Sequence, residues 1–149
     1  SKGLGAPIGS LMISSSDRIS KARQWRKRYG GGMRQVGMMA AAGHYALDHN
    51  LELLKTDHAR AKSIAQAIAL VAPLVIDPKT VETNIVGLDL SSIKITAFEL
   101  ADELKEHGIL AGPLGSKYLR LVTHFDLDES DIGLVKQVLP EILKRSLVA

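Results

Sequence analysis

The sequence predicts an α/β protein made of a helical segment, residues 1–77, followed by a small α+β unit, residues 78–149, in which a sheet is covered by helices on one face. Three observations carry that expectation. Apolar residues recur at intervals of three and four through residues 51–68, the signature of an amphipathic helix. Beyond Pro78 short alternating runs and helical runs take turns, and between the two regimes VAPLVIDPKT places two prolines within a few residues. With 149 residues, 46% of them hydrophobic, there is material for one domain with a real core.

The elements follow in order. IGSLMIS alternates and predicts a short strand over Ile8 to Ile13. Ser16 and Asp17 then launch DRISKARQWRKRY as a helix, which the GGG at 30–32 stops. MRQVGMMAAAGHYALDHN is rich in Ala and Met with apolar residues on more than one face, so a helix buried on several sides is expected there. After Asn50 comes the amphipathic helix, with Leu51, Leu54, His58, Ala61, Ile64, Ala65 and Ile68 along one stripe. Past Pro78 the order is β-α-β-β-α: a strand around Thr83 to Leu88, a helix over ITAFELADELKEHG, a short strand at ILAG, a strand from Tyr118 to His124, and a closing helix. Asp126 or Asp128 caps that helix and Pro140 is expected to kink it.

Composition excludes several chemistries. The chain has no cysteine, which removes disulfides, thiolate metal sites and a cysteine nucleophile and leaves the compartment open, cytosol being the default. No apolar run approaches the roughly 18 residues that span a bilayer, so no membrane partner is expected. The net charge of +3 is mild, but residues 1–34 carry eight Lys and Arg against Asp17 alone, whereas the other 115 residues hold 11 basic and 15 acidic side chains. One end is built to meet negative charge.

Several motifs are weighed on their own. GLGAPIG lacks the preceding strand and the spacing of a dinucleotide-binding turn, and no P-loop occurs. The run KARQWRKRY admits three readings: a solvated face, a nucleic-acid patch with Trp25 and Tyr29 among the cations, or a phosphate site completed by the glycines of YGGGMR. Of the five histidines none has metal-ligand spacing, so no metal is assigned, and His124 alone is held open. Arg120, in YLRLVTHFD, points opposite to Leu121, toward solvent or a cleft. Its planar guanidinium suits a carboxylate.

SKGLGAPIGS, RQWRKRYGGGMRQ and LRLVTHFD, in this order and over essentially all 149 residues, together resemble the second half of the low-specificity L-threonine aldolases, pyridoxal-phosphate enzymes of the aspartate aminotransferase group (fold type I). The resemblance implies that Lys2 is the lysine bonded covalently to the pyridoxal 5'-phosphate. It implies that Lys27 and Arg34 approach the cofactor phosphate from an adjoining subunit, and that Arg120 holds the substrate carboxylate. The activity implied is cleavage of threonine or allo-threonine to glycine and an aldehyde. Residues 1–77 would then end the large cofactor-binding domain with its connecting helices, and 78–149 would form the small domain.

The same resemblance implies a homo-oligomer, a tetramer, and a complementary N-terminal half that supplies the acidic ring-nitrogen partner, the stacking histidine, the main phosphate loop and a second carboxylate arginine; the cytoplasm is the default compartment. Without that half the chain is expected neither to bind cofactor productively nor to fold fully as a monomer. Two alternatives stand beside this reading. One is another pyridoxal-phosphate lyase of the same fold group. The other is a noncatalytic basic module that binds polyanions through Lys21 to Arg28, although no nucleic-acid partner is expected, since that module accounts for neither Lys2 nor LRLVTH.

Overall fold

Ser15 is extended (φ −62°, ψ 154°) and its carbonyl accepts the first helical bond from the Ile19 N–H at 2.9 Å, so the chain turns into helix α1, Ser16–Arg28, where the serines and Asp17 predict it. The computed structural model describes residues 2–148 and the side chains of residues 3–147. Asp17 at the positive end of α1 and Arg26, Lys27 and Arg28 at the negative end complement the helix dipole. Helix α2 follows over Gly37–His49 and α3 over Leu53–Ala69. Strand β1 is Ile85–Asp89, α4 Ala97–Glu106, β2 Gly112–Pro113, β3 Tyr118–Val122 and α5 Glu129–Val148.

The order β-α-β-β-α beyond Pro78 is the one expected. Both flanking strands pair antiparallel with β3, which gives the sheet order β1-β3-β2. Val86, Leu88, Leu119 and Leu121 line the buried face, while Ile85, Asp89, Tyr118, Arg120 and Val122 stand on the open one. That clean alternation is what a sheet covered on one side requires. Each fully buried leucine contributes about 2 kcal/mol through the surface it removes from water.

Local chemistry sets the helix ends. Thr96 accepts from the Glu99 N–H while the Glu99 carboxylate accepts from the Thr96 N–H, a reciprocal cap that starts α4. Gly108, at φ +78°, ends it: the Ile109 N–H reaches the Leu104 carbonyl and the Gly108 N–H reaches Lys105, both at 3.0 Å. Asp128, the second of the two candidate caps, takes the Ser130 and Asp131 N–H groups at 2.8 and 3.0 Å and so opens α5. Helix α5 continues through Pro140, forgoing one backbone bond there.

Three expectations are corrected. Residues 8–13 form no strand, and Leu11 and Ile13 are 79% and 94% exposed, because alternation needs a ladder partner and none of the described strands pairs with them. The short strand expected at ILAG, residues 109–112, is shifted toward the C-terminus: Gly112–Pro113 pairs with β3, so only the last residue of that segment enters the ladder. Helix α2 is not buried on several sides, since Ala46 alone is buried in it. Its Ala and Met content marks faces that await cover rather than faces already covered within these residues.

The packing divides the chain into two compact units, up to Leu51 and from Glu52 onward. Ala61, Ile64, Ala65 and Ile68 of α3 enter one apolar core with Val86, Leu88, Leu100, Leu104, Leu119, Leu139 and Leu143, so the stripe that predicts α3 also ties it to the sheet. The prolines of VAPLVIDPKT mark a turn inside this unit, where the Val75 carbonyl accepts from the Asp89 N–H at 3.0 Å.

Candidate functional site

Within the first unit the basic residues gather where α1 ends. Gly30 adopts φ +78°, and the Gly30 and Gly31 N–H groups fold back onto the Lys27 and Arg26 carbonyls at 3.1 and 2.8 Å. The following backbone runs so close to the helix that a Cβ at Gly32 would stand 3.1 Å from the Lys27 Cδ, and one at Gly31 would stand 3.0 Å from the Arg26 Cγ. Arg28 is committed elsewhere, its guanidinium 4.9 Å above the Trp25 ring, which in turn stacks on Tyr29 at 5.7 Å. Lys27 and Arg34 remain exposed, with no acidic partner among the described residues. Just after Arg34, Gln35 takes the left-handed conformation (φ +51°) that side chains other than glycine avoid, so the chain is bent sharply beside that arginine.

The backbone of Lys2–Leu4 makes a single 3-10 turn, and the Leu4 carbonyl accepts from the Asn50 amide at 2.8 Å, which pins the turn to the end of α2. The Lys2 side chain lies outside the described residues. Beside this turn an apolar hollow of about 560 Å³ is lined by Leu4, Ile8, Leu11, Val36, Met39 and Leu47, among others.

In the second unit Arg120 occupies the middle of β3 on the open face. Its neighbour across β1 is Gly87 and its neighbour across β2 is Gly112, so neither side chain crowds it. Tyr118 leans along the strand until its phenol oxygen fills the place that a Cβ on Gly87 would take, the ring Cζ lying 2.8 Å from that point. Asp89 is occupied by Ser91, whose side chain and N–H hold its carboxyl below the ordinary value of 3.8. Arg120 has no ion pair among the described residues.

The end of β3 is locked. Thr123 donates its hydroxyl to the Asp57 carbonyl at 2.7 Å, its N–H donates to the Asn84 carbonyl at 2.9 Å, and the Asn84 amide donates to the Thr123 carbonyl at 2.7 Å. His124 follows, with Nδ1 3.4 Å from an Asp126 oxygen, at the rim of an apolar cavity of about 330 Å³. No group of side chains that could hold a metal occurs among the described residues. No described helix is long and apolar enough to cross a membrane.

Of the four residues singled out from sequence, Lys27 and Arg34 therefore belong to one unit and Arg120 to the other. Sequence inspection passed over Tyr118, Gly87 and Asp57. The glycine and tyrosine are 31 positions apart and only strand register brings them together. The donor set fits a phosphorylated cofactor: two uncommitted cations flank a glycine turn in which any side chain would press on Arg26 or Lys27, and a flexible cation suits a phosphate's three oxygens.

A family model described as beta-eliminating lyase matches residues 1–91. The low-specificity L-threonine aldolase 1 of Arabidopsis thaliana is 40% identical over 133 residues, 89% of this chain. A probable low-specificity L-threonine aldolase of Schizosaccharomyces pombe is 39% identical over an alignment of 154 positions that takes in 99% of the chain. The low specificity L-threonine aldolase of Escherichia coli strain K12 is 37% identical over 135 residues, 91% of the chain. The chain spans 37%, 36% and 38% of the length of these three relatives. With its helices, its small antiparallel sheet and more than half its length matched by the family model, the chain belongs to the beta-eliminating lyase family.

Proposed function

We propose that this chain belongs to a pyridoxal-phosphate enzyme of fold type I that cleaves L-threonine or L-allo-threonine to glycine and an aldehyde. The observation that carries the reading is the identity of 37% to 40% with relatives named as low-specificity L-threonine aldolases, over 89% to 99% of the chain. The family match from residue 1 to 91 takes in Lys2, Lys27 and Arg34. Residues 1–77 end the large domain with its connecting helices in this reading, and 78–149 form the small domain, α3 being a connecting helix that packs on the latter.

Cleavage separates Cα from Cβ while the β-hydroxyl loses its proton. Pyridoxal phosphate, when bound, supplies the sink for the electrons of that bond. The residues of this chain do the holding. Lys2 contributes a primary amine, the nucleophile that a carbonyl cofactor needs. Lys27 and Arg34 supply positive charge to a phosphate, and Arg120 grips a carboxylate with two parallel N–H donors. Fixing the phosphate and the substrate carboxylate orients the scissile bond, which is where positioning gains rate.

The exposure of Leu11, Ile13, Tyr29 and Met38, between 79% and 94%, supports an oligomeric holoenzyme in which such faces are covered. A tetramer is the form implied by the resemblance. Borohydride treatment of the cofactor-loaded enzyme, followed by peptide mapping, tests the central assignment. The pyridoxyl group is expected on Lys2, and Lys2→Ala is expected to lose both the label and threonine cleavage. A label on another lysine, with cleavage retained in the variant, overturns the reading.

A further inference from the structure

On the open face of the sheet, the packing of Tyr118 accounts for its ring but not for its hydroxyl. The ring covers Gly87, as aromatic side chains do beside a bare glycine in a strand. A phenylalanine would cover it equally. Tyr118 is 43% exposed and its phenol oxygen has no hydrogen-bond partner among the described residues, so its donor is unspent.

Register puts that donor beside Arg120. Tyr118 faces Asp89 across the ladder, and Arg120 faces Gly87. By leaning onto Gly87 the phenol leaves its own cross-strand position and enters the one opposite Arg120. Facing Cβ positions in an antiparallel pair are about 5 Å apart, closer than the roughly 7 Å that separates alternate residues along one strand. The oxygen thus lies within reach of an anion held on the guanidinium. Gly112 leaves the other flank of Arg120 open for that anion to enter. Asp89 does not compete for the arginine, since Ser91 occupies its carboxylate.

We propose that Tyr118 is a further donor, beside Arg120, to the carboxylate of the α-amino acid. This rests on the reading of Arg120 as the carboxylate-binding residue. Tyr118 selects and orients; it takes no part in bond cleavage.

The test uses the cofactor-loaded enzyme and three variants. Tyr118→Phe keeps the ring on Gly87 and removes the hydroxyl. Arg120→Lys removes the paired donors. Gly87→Ala displaces the flexible end of Tyr118 and leaves its hydroxyl intact. Threonine cleavage is followed for KM and kcat, and melting temperature is recorded with and without glycine as a carboxylate probe. The loss of one hydrogen bond to a charged group is expected to raise KM about tenfold in Tyr118→Phe, with kcat and the glycine-free melting temperature unchanged and the glycine-induced rise reduced. Gly87→Ala is expected to reproduce the KM change, and it decides the matter if Tyr118→Phe fails to fold. Wild-type KM in both, with KM raised in Arg120→Lys, overturns the role of Tyr118 and leaves Arg120 in place. Wild-type KM in Arg120→Lys as well overturns the carboxylate assignment beneath it.

Discussion

Thr123 donates its hydroxyl proton to the backbone carbonyl of Asp57 at 2.7 Å and so fastens the end of β3 to α3, 66 residues earlier in the chain. Because both residues are buried, this bond is shielded from water that could replace it. Thr123→Val keeps the shape and removes the donor, and is expected to destabilise the fold by about 1 kcal/mol. Thr123→Ser should restore most of that. Urea unfolding of the three proteins checks the order; a valine variant as stable as the parent counts against the lock.

Asp57 itself is wholly buried, and neither of its carboxylate oxygens has a hydrogen-bond partner among the described residues. An unpartnered polar group in an apolar interior opposes folding by roughly 1–3 kcal/mol. Asp57→Leu is therefore expected to raise the melting temperature, against the usual direction of core substitutions. A large fall would show that the carboxylate is satisfied in solution.

Lys117 directs all three of its ammonium donors at consecutive carbonyls, those of Ile93, Lys94 and Ile95, at 2.6, 3.0 and 3.1 Å. This clamps the loop before the α4 cap. Lys117→Met retains the aliphatic stem and leaves three carbonyls to water, with an expected loss of about 1–3 kcal/mol. Hydrogen exchange should show the protection of the Ala97 amide, bonded to the Ser116 carbonyl, falling first.

Gln35 holds φ +51° beside Arg34. Glycine takes that conformation without the side-chain clash, so Gln35→Gly is expected to stabilise the chain by about 0.5–1 kcal/mol after its own entropy is counted. If the bend serves to set Arg34 for a phosphate, cofactor affinity should be kept or weakened while stability rises. Equilibrium unfolding and cofactor titration of the same variant separate the two effects.

The Ser130 side chain and the Asp131 and Ser130 N–H groups hold the Asp128 carboxyl below its ordinary value of 3.8. A carboxyl depressed in the folded state stabilises that state above its unfolded value, and the contribution disappears as pH falls through the folded value. Asp128→Ala is therefore expected to melt at a lower temperature than the parent at pH 7, with the gap closing below about pH 4. A gap independent of pH would assign the loss to something other than the charged cap.

The elements of the second unit were legible because their causes are local. Thr96 and Glu99 cap α4 from three residues apart, Gly108 closes it, Asp128 opens α5, and the alternation of Leu119, Arg120 and Leu121 sets which side chains face the core. The same locality makes Arg26, Lys27 and Arg28 a cationic end of α1 against a glycine turn, whereas the resemblance singles out Lys27 and Arg34. Where the cause is a partner, inspection of residues falls short. Ile8 to Ile13 alternates yet pairs with no described strand, and α2 has apolar faces with one buried residue, because periodicity reports that a face can be buried and not what buries it.

What the order of residues establishes alone is a set of caps, stops and faces, and with them an arginine on a strand face opposite its leucines. Tertiary structure decides the rest. It joins α3 to the sheet across the prolines, buries Asp57 without a partner, and sets Tyr118 on Gly87 beside Arg120. The reason is that register and packing are relations between segments many residues apart, and a shift of one position along β3 would turn Arg120 inward and dissolve the pair.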